Sequence, residues 1–143
     1  MPLYPFRCWR RPALKLPSLP RDLLLSPAAV FEDLRFEAAR PVAEHDVSLA
    51  FTIERAGELR GLALHVELFV FDGEAAEPEV SSAQPDSHWP NVFLMLPEPI
   101  EVTLGQQVGV RATAHLAAAQ PRYTFEVRLD GELLGSMEYP ENL

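Results

Sequence analysis

Cysteine, glycine and long apolar runs are all scarce in this sequence. The single cysteine, Cys8, in 143 residues excludes an internal disulfide, and a lone thiol suits a reducing, cytoplasmic compartment. No apolar run approaches the roughly 18 residues that a membrane span needs. The arginine-bearing start lacks the apolar stretch of a secretory signal. With seven glycines there is neither a GxGxxG nor a P-loop. Gly105 and Gly109 fall in an expected turn and strand rather than ahead of a helix, so neither a dinucleotide nor an S-adenosyl pocket is expected in this chain. CxxC and HxxxH are absent too. His65 and Glu67 share a strand face and His115 lies on the polar face of another strand. An i, i+2 pair without a third ligand predicts solvated side chains, not a metal centre.

Acids are what the sequence has in excess. Its net charge is −9, and the balance is uneven. Residues 1–21 carry Arg7, Arg10, Arg11, Lys15 and Arg21 and no acid, whereas beyond residue 40 seventeen acids face five basic residues. An acidic body repels phosphate backbones and attracts cationic partners, so no nucleic-acid partner is expected. Plain solubility explains the same charge equally well. Hydrophobic residues make up 48% of the chain, enough for one core. Fourteen prolines argue against a helical bundle and for short strands joined by fixed turns.

The first 29 residues, with prolines at 2, 5, 12, 17, 20 and 27, predict an irregular, basic lead-in. Arg21-Asp22 opens a single helical turn in this reading, and Leu23, Leu24 and Leu25 anchor the lead-in on a core. The remainder, residues 30–143, reads as one β-domain. Val47, Leu49, Phe51 and Ile53 alternate with small or polar residues, the signature of a half-buried strand. Ala56-Gly57-Glu58 reads as a turn. Gly61–Asp72 then predicts a central strand with Leu62, Leu64, Val66, Leu68 and Val70 on one face. Further strands are expected at Asn91–Leu96, Ile100–Leu104, Gln107–Leu116 and Arg122–Leu129. Asp130-Gly131 supplies a two-residue hairpin turn that needs positive φ at both positions, and Leu133-Leu134 begins the returning strand. Six or seven strands without an amphipathic helix predict an all-β antiparallel barrel or sandwich.

One connection is long. From Gly73 to Pro90 about 18 residues show almost no periodicity, where typical connections run about 4–6. Long loops on a β scaffold are where function tends to sit, and this one contains Asp86-Ser87-His88-Trp89. The imidazole titrates near neutrality, the indole offers a wall for a cation, and Asp86 stands beside them as an imidazole orienter or a turn acid. On chemistry alone the favoured reading is that Trp89 merely plugs the end of a barrel while His88 faces water.

At this loop the sequence resembles the C-terminal β-barrel of protein arginine methyltransferases. Val80-Ser81-Ser82, Pro85-Asp86-Ser87-His88-Trp89 and Phe93-Leu94-Met95-Leu96 are similar to that family's Leu-Ser-Thr segment, proline, Thr-His-Trp loop and following strand. Phe51–Gly57 with Gly61-Leu62 resembles its strand–turn–strand, Ile100–Gln106 its strand and glycine turn, and Arg122–Val127 its closing strand. The resemblance runs from about residue 22 to 135. Departures are Pro90 after the tryptophan, where the family generally has a polar or basic residue, and His65-Val66-Glu67 in place of a Trp-Phe-acid run.

The resemblance implies an enzyme of two halves. A Rossmann-like half binds S-adenosylmethionine, and the barrel supplies the His-Trp loop and a groove for an arginine-containing, cationic peptide. His88 then stands at the edge of the active site, effective only with a partner half, and Trp89, Ser87 and Asp86 become substrate-binding residues. No strand–glycine turn–helix unit occurs in this chain, so it binds no cofactor itself and is not catalytic alone; its expected partner is a methyltransferase domain in the same or another chain. The alternatives are a free-standing β-sandwich interaction module without a methylation role and, less favoured, a cupin-type metal enzyme.

Overall fold

A computed structural model describes residues 13–16, 19, 21–35, 44–70, 78, 80–117 and 119–140. Cys8, the arginines at 7, 10 and 11, the last two residues of the strand expected over Gly61–Asp72, and residues 73–77 and 79 of the expected long loop lie outside the described residues. Among the described residues nine strands follow in chain order: β1 (Ala13–Leu16), β2 (Glu44–Thr52), β3 (Gly57–Leu64), β4 (Glu67–Leu68), β5 (Val80–Ser81), β6 (Asn91–Val102), β7 (Gln107–His115), β8 (Arg122–Leu129) and β9 (Glu132–Tyr139). Every ladder whose register is defined is antiparallel. Among the described residues the only helical element is a 3-10 turn at Arg21–Leu23, where a single turn is expected. The fold class is all-β. No described helix is long and apolar enough to cross a membrane.

Contacts divide the chain into two units, Met1–Leu24 with Gly61–Met95, and Leu25–Arg60 with Leu96–Leu143. The second unit holds the four-stranded sheet β2-β7-β8-β9, whose two ends, β2 and β9, share no ladder among the described residues. Its strands obey period two. β2 alternates exposed and half-buried residues throughout, and β7 buries Val108, Val110, Ala112 and Ala114. Phe125 and Val127 of β8 and Met137 of β9 complete that face. The hairpin turn forms as expected, with Asp130 at φ 48° and Gly131 at φ 86°, the left-handed values of a type I′ turn. Gly105, at φ 88°, makes the other turn that requires glycine, its N–H donating to Ile53 O at 2.7 Å.

From the segment Leu25–Arg35, which joins no ladder, Phe31 and Glu32 reach this face. Ala112 and Ala114 are small, and Phe31 sits edge-on to Phe125 and Tyr123, with ring centroids 5.3 and 6.0 Å apart. Next to it Glu32 reaches His45 Nε2 through Oε2 and accepts from the Tyr123 hydroxyl through Oε1, both at 3.3 Å. His45 and Tyr123 both stand opposite Ala114 in their ladders, so one carboxylate bridges β2 and β8 above an alanine. Burial, and then the Glu32 charge and hydrogen bond, push the Tyr123 phenol up to about 12. The opposite, polar face of the sheet carries the pair Arg111–Asp46. Arg111 donates from Nε to both carboxylate oxygens and from Nη2 to Oδ2, which holds the Asp46 carboxyl below the usual carboxylate range.

Several expectations need correction. The single strand expected over Gly61–Asp72 is two, β3 and β4, and β3 already begins at Gly57, where a turn is expected. The break has a cause at Val66: its N–H donates to Ser82 Oγ at 2.8 Å and its C=O accepts from Ser82 N–H at 2.9 Å. This draws the chain away to pair with β5, and Val66 and Val70 are left exposed. Conversely, the two strands expected on either side of Pro97 and Pro99 are one, β6. Its ladder with β1 covers only Asn91–Leu94, so both prolines fall where no β1 residue requires an N–H donor. The lead-in is not irregular throughout, because Ala13–Leu16 forms β1. Nor do all three leucines anchor it: Leu23 and Leu24 are exposed, and Leu25 alone is half-buried.

Candidate functional site: the His88–Trp89 loop

The candidate site lies within the first unit. There β6 is flanked by β1 on one side and β3 on the other, and the two-residue strands β4 and β5 pair Glu67 with Ser81 and Leu68 with Val80. The chain between β5 and β6 carries Asp86, Ser87, His88 and Trp89. Where no periodicity is legible, it is built from successive turns. Gln84 N–H donates to Ser81 O at 3.2 Å and Ser87 N–H to Gln84 O at 3.1 Å. Ser87 Oγ then accepts from Trp89 N–H at 3.1 Å, so the hydroxyl holds the His-Trp corner in shape. At the start of the loop Ser81 and Ser82 are buried, the first accepting from Ala83 N–H at 3.3 Å and the second bonded to Val66.

His88 and Asp86 are exposed, Ser87 is half-buried, and Trp89 keeps 43% of its surface exposed. Trp89 is therefore not enclosed within this unit. No hydrogen bond or ion pair joins Asp86 to His88, so the acid does not orient the imidazole. Ser87, His88 and Pro90 do share an open cleft of about 440 Å³ with Lys15 and Leu16 of β1. Lys15 was not legible as a site residue: four residues between prolines show too little alternation to announce a strand, and the pairing partner is far away in sequence. Asn91, which follows the loop, is fully buried, and neither its Nδ2 nor its Oδ1 has a hydrogen-bond partner among the described residues.

The cleft presents an imidazole, an ammonium, a hydroxyl and two apolar walls, groups that can bind and orient a ligand. His65, in the same unit, lies 3.5 Å from Glu67. His115, in the other, lies 3.3 Å from Glu44. Among the described residues no group of three or more His, Cys, Asp or Glu side chains converges as metal ligands would.

No family model matches the chain. Over 118 residues, 81% of the chain, it is 29% identical to the probable histone-arginine methyltransferase 1.3 of Arabidopsis thaliana. The chain spans about a fifth of that relative's length, since the match covers 22% of it. A stretch covering 81% of 143 residues necessarily includes the loop Ser82–Pro90. The similarity supports a distant relationship to arginine methyltransferases.

Proposed function

We propose that this chain is the substrate-side β-domain of a protein arginine methyltransferase-like protein. The observation that carries this reading is the 29% identity to a probable histone-arginine methyltransferase over 81% of the chain. In this reading the domain receives an arginine-containing cationic peptide, to which the net charge of −9 is suited. His88 acts at the edge of the active site when a second, Rossmann-like half is present, and Trp89, Ser87 and Asp86 border the substrate. That other half binds S-adenosylmethionine and supplies the methyl group. Methyl transfer requires donor and acceptor to be aligned, and the groups of this chain bind only the acceptor side, so the domain is not catalytic by itself. A reducing, cytoplasmic setting goes with this assignment.

Two titrations of the purified chain test the reading. Calorimetry with S-adenosylmethionine should show no binding, whereas a fluorescein-labelled arginine-containing peptide should give a saturable rise in anisotropy. The rise should fall when arginine is replaced by citrulline, which keeps the shape and removes the charge. Micromolar donor binding, or equal affinity for the citrulline peptide, would overturn the assignment.

A further inference from the structure

The four-stranded sheet ends in β9, whose residues Glu132–Tyr139 pair with β8 along one side only. Among the described residues no backbone hydrogen bond reaches β9 from its other side. A strand so placed presents outward N–H and C=O groups, and such an edge accepts a further strand from another chain. Leu134 has no partner in β8, whereas residues 135–139 each pair in unbroken register, so the bulge leaves them as the regular part of the edge. Charge distinguishes this edge from the sheet's other end. On β2, Asp46 and Glu44 are met by Arg111 and His115 of β7. On β9, Glu132 and Glu138 are exposed, neither has a hydrogen-bond or ion-pair partner among the described residues, and the strand carries no base. A further exposed, unpaired acid, Glu98, follows Pro97, which packs on β9 at Gly135: a Cβ there would stand 2.7 Å from Pro97 Cδ. Leu133, Ser136 and Glu138 stand opposite Arg128, Glu126 and Thr124, and therefore share the polar face of the sheet.

We propose that the outer edge of β9 is a docking site for an extended, lysine- or arginine-bearing segment of another protein, which adds to the sheet as a fifth strand. Main-chain hydrogen bonds hold the segment, and the side chains of β9 select it. A basic residue of the segment lies beside Glu138, and an apolar one on the same face meets Leu133, which is 51% exposed. Acids are the only charges on β9, so a second copy of the strand would bring like charges together, which weakens pairing. The phosphates of a nucleic acid are repelled for the same reason. This inference concerns the unit that does not carry the His88–Trp89 loop. It stands apart from the methyltransferase-like reading, and either can fail without the other.

The test uses the full chain and a fluorescein-labelled peptide of alternating arginine and valine. Anisotropy should rise to saturation, and hydrogen exchange followed by mass spectrometry should show residues 132–139 gaining protection as the peptide is added. Glu132→Lys with Glu138→Lys, both at exposed positions, should weaken binding at least tenfold without lowering the thermal midpoint. A further measurement leaves the protein untouched. In an added strand only alternate residues turn their N–H groups to the edge, so N-methylating every arginine or every valine should cost at least tenfold in one of the two peptides and little in the other. Absence of binding, binding without new protection in β9, unchanged affinity in the charge-reversed variant, or equal losses from both N-methylated peptides would overturn the proposal. So would a β9 already fully protected in the free chain, which would mean that the chain covers its own edge. Protection of β9 that grows with protein concentration would assign the edge to a second copy and overturn it as well.

Discussion

In the unit formed by Leu25–Arg60 and Leu96–Leu143, four strands of eight or nine residues pair side by side. Their inward side chains are apolar, and the polar groups that enter, His45, Glu32 and Tyr123, find one another. The unit formed by Met1–Leu24 and Gly61–Met95 contains a four-residue strand, two strands of two residues, and a buried carboxamide left without a partner. Long ladders with regular burial hold a sheet through packing, and little chemistry is left over. Short ladders joined by turns leave the exposed rings of Phe69 and Trp89 and an orphan amide at Asn91 among the described residues. The same chain thus has one region of long, regular ladders and another of short ladders and turns, and the second carries His88 and Trp89.

Three measurements bear on that contrast, the largest effect first. Phe125, 1% exposed, lies at the centre of the regular sheet against Phe31, and Phe125→Ala should cost about 3–5 kcal/mol in urea unfolding. A loss below about 1 kcal/mol would mean that this sheet is not the stable region. The second measurement compares two strand glycines. A Cβ at Gly61, in the loop-bearing unit, would collide with the backbone carbonyl of Leu94, whereas one at Gly109 in β7 would meet nothing within 4 Å. Gly61→Ala should therefore destabilise by about 1–3 kcal/mol through overpacking, and Gly109→Ala should stabilise by about 0.4–1 kcal/mol by restricting the unfolded chain. Equal effects of the two substitutions would remove the contrast in how closely the strands approach.

The smallest effect is confined to alkaline pH. Tyr123 has its phenol pushed up to about 12, from an ordinary value of 10.0, by burial and by Glu32. Below the unfolded value the phenol is neutral in both states and its contribution to stability is complete. Between the unfolded and folded values the unfolded chain releases the proton and the folded chain keeps it, so stability falls as pH rises through that window. An ultraviolet titration should show one late-ionising phenol that Tyr123→Phe abolishes and Glu32→Gln brings to lower pH. If Glu32→Gln leaves the late step in place, the carboxylate bridge does not contribute.

Legibility followed the length of the ladder. β7 and β8 are readable almost to the residue, and β2 apart from its ends, which lie at Glu44 and Thr52 rather than around Val47 and Ile53, because one apolar and one polar face impose period two on the chain itself. The Asp130-Gly131 turn was equally plain, since few residue pairs accept positive φ at both positions. The loop was singled out by its His-Trp pair and its lack of period, but its internal turns were not, because serine hydroxyls and backbone groups form them without a hydrophobic pattern. Proline misled at Pro97 and Pro99, where the sequence carries no sign of which edge of β6 lacks a partner.

By itself the sequence determined the all-β class, the strands of the regular sheet, the hairpin turn and the candidate loop, since each is set by side-chain alternation or by local backbone sterics. Only the tertiary structure decided that residues from the start of the chain would pair with β6 and bring Lys15 and Leu16 beside His88. It likewise decided that Val66 would leave one ladder for Ser82, that Glu32 would bridge two strands above an alanine, and that Asn91 would be buried without a partner. Pairings between distant segments depend on which edges other segments of the folded chain leave free, and no local periodicity records that.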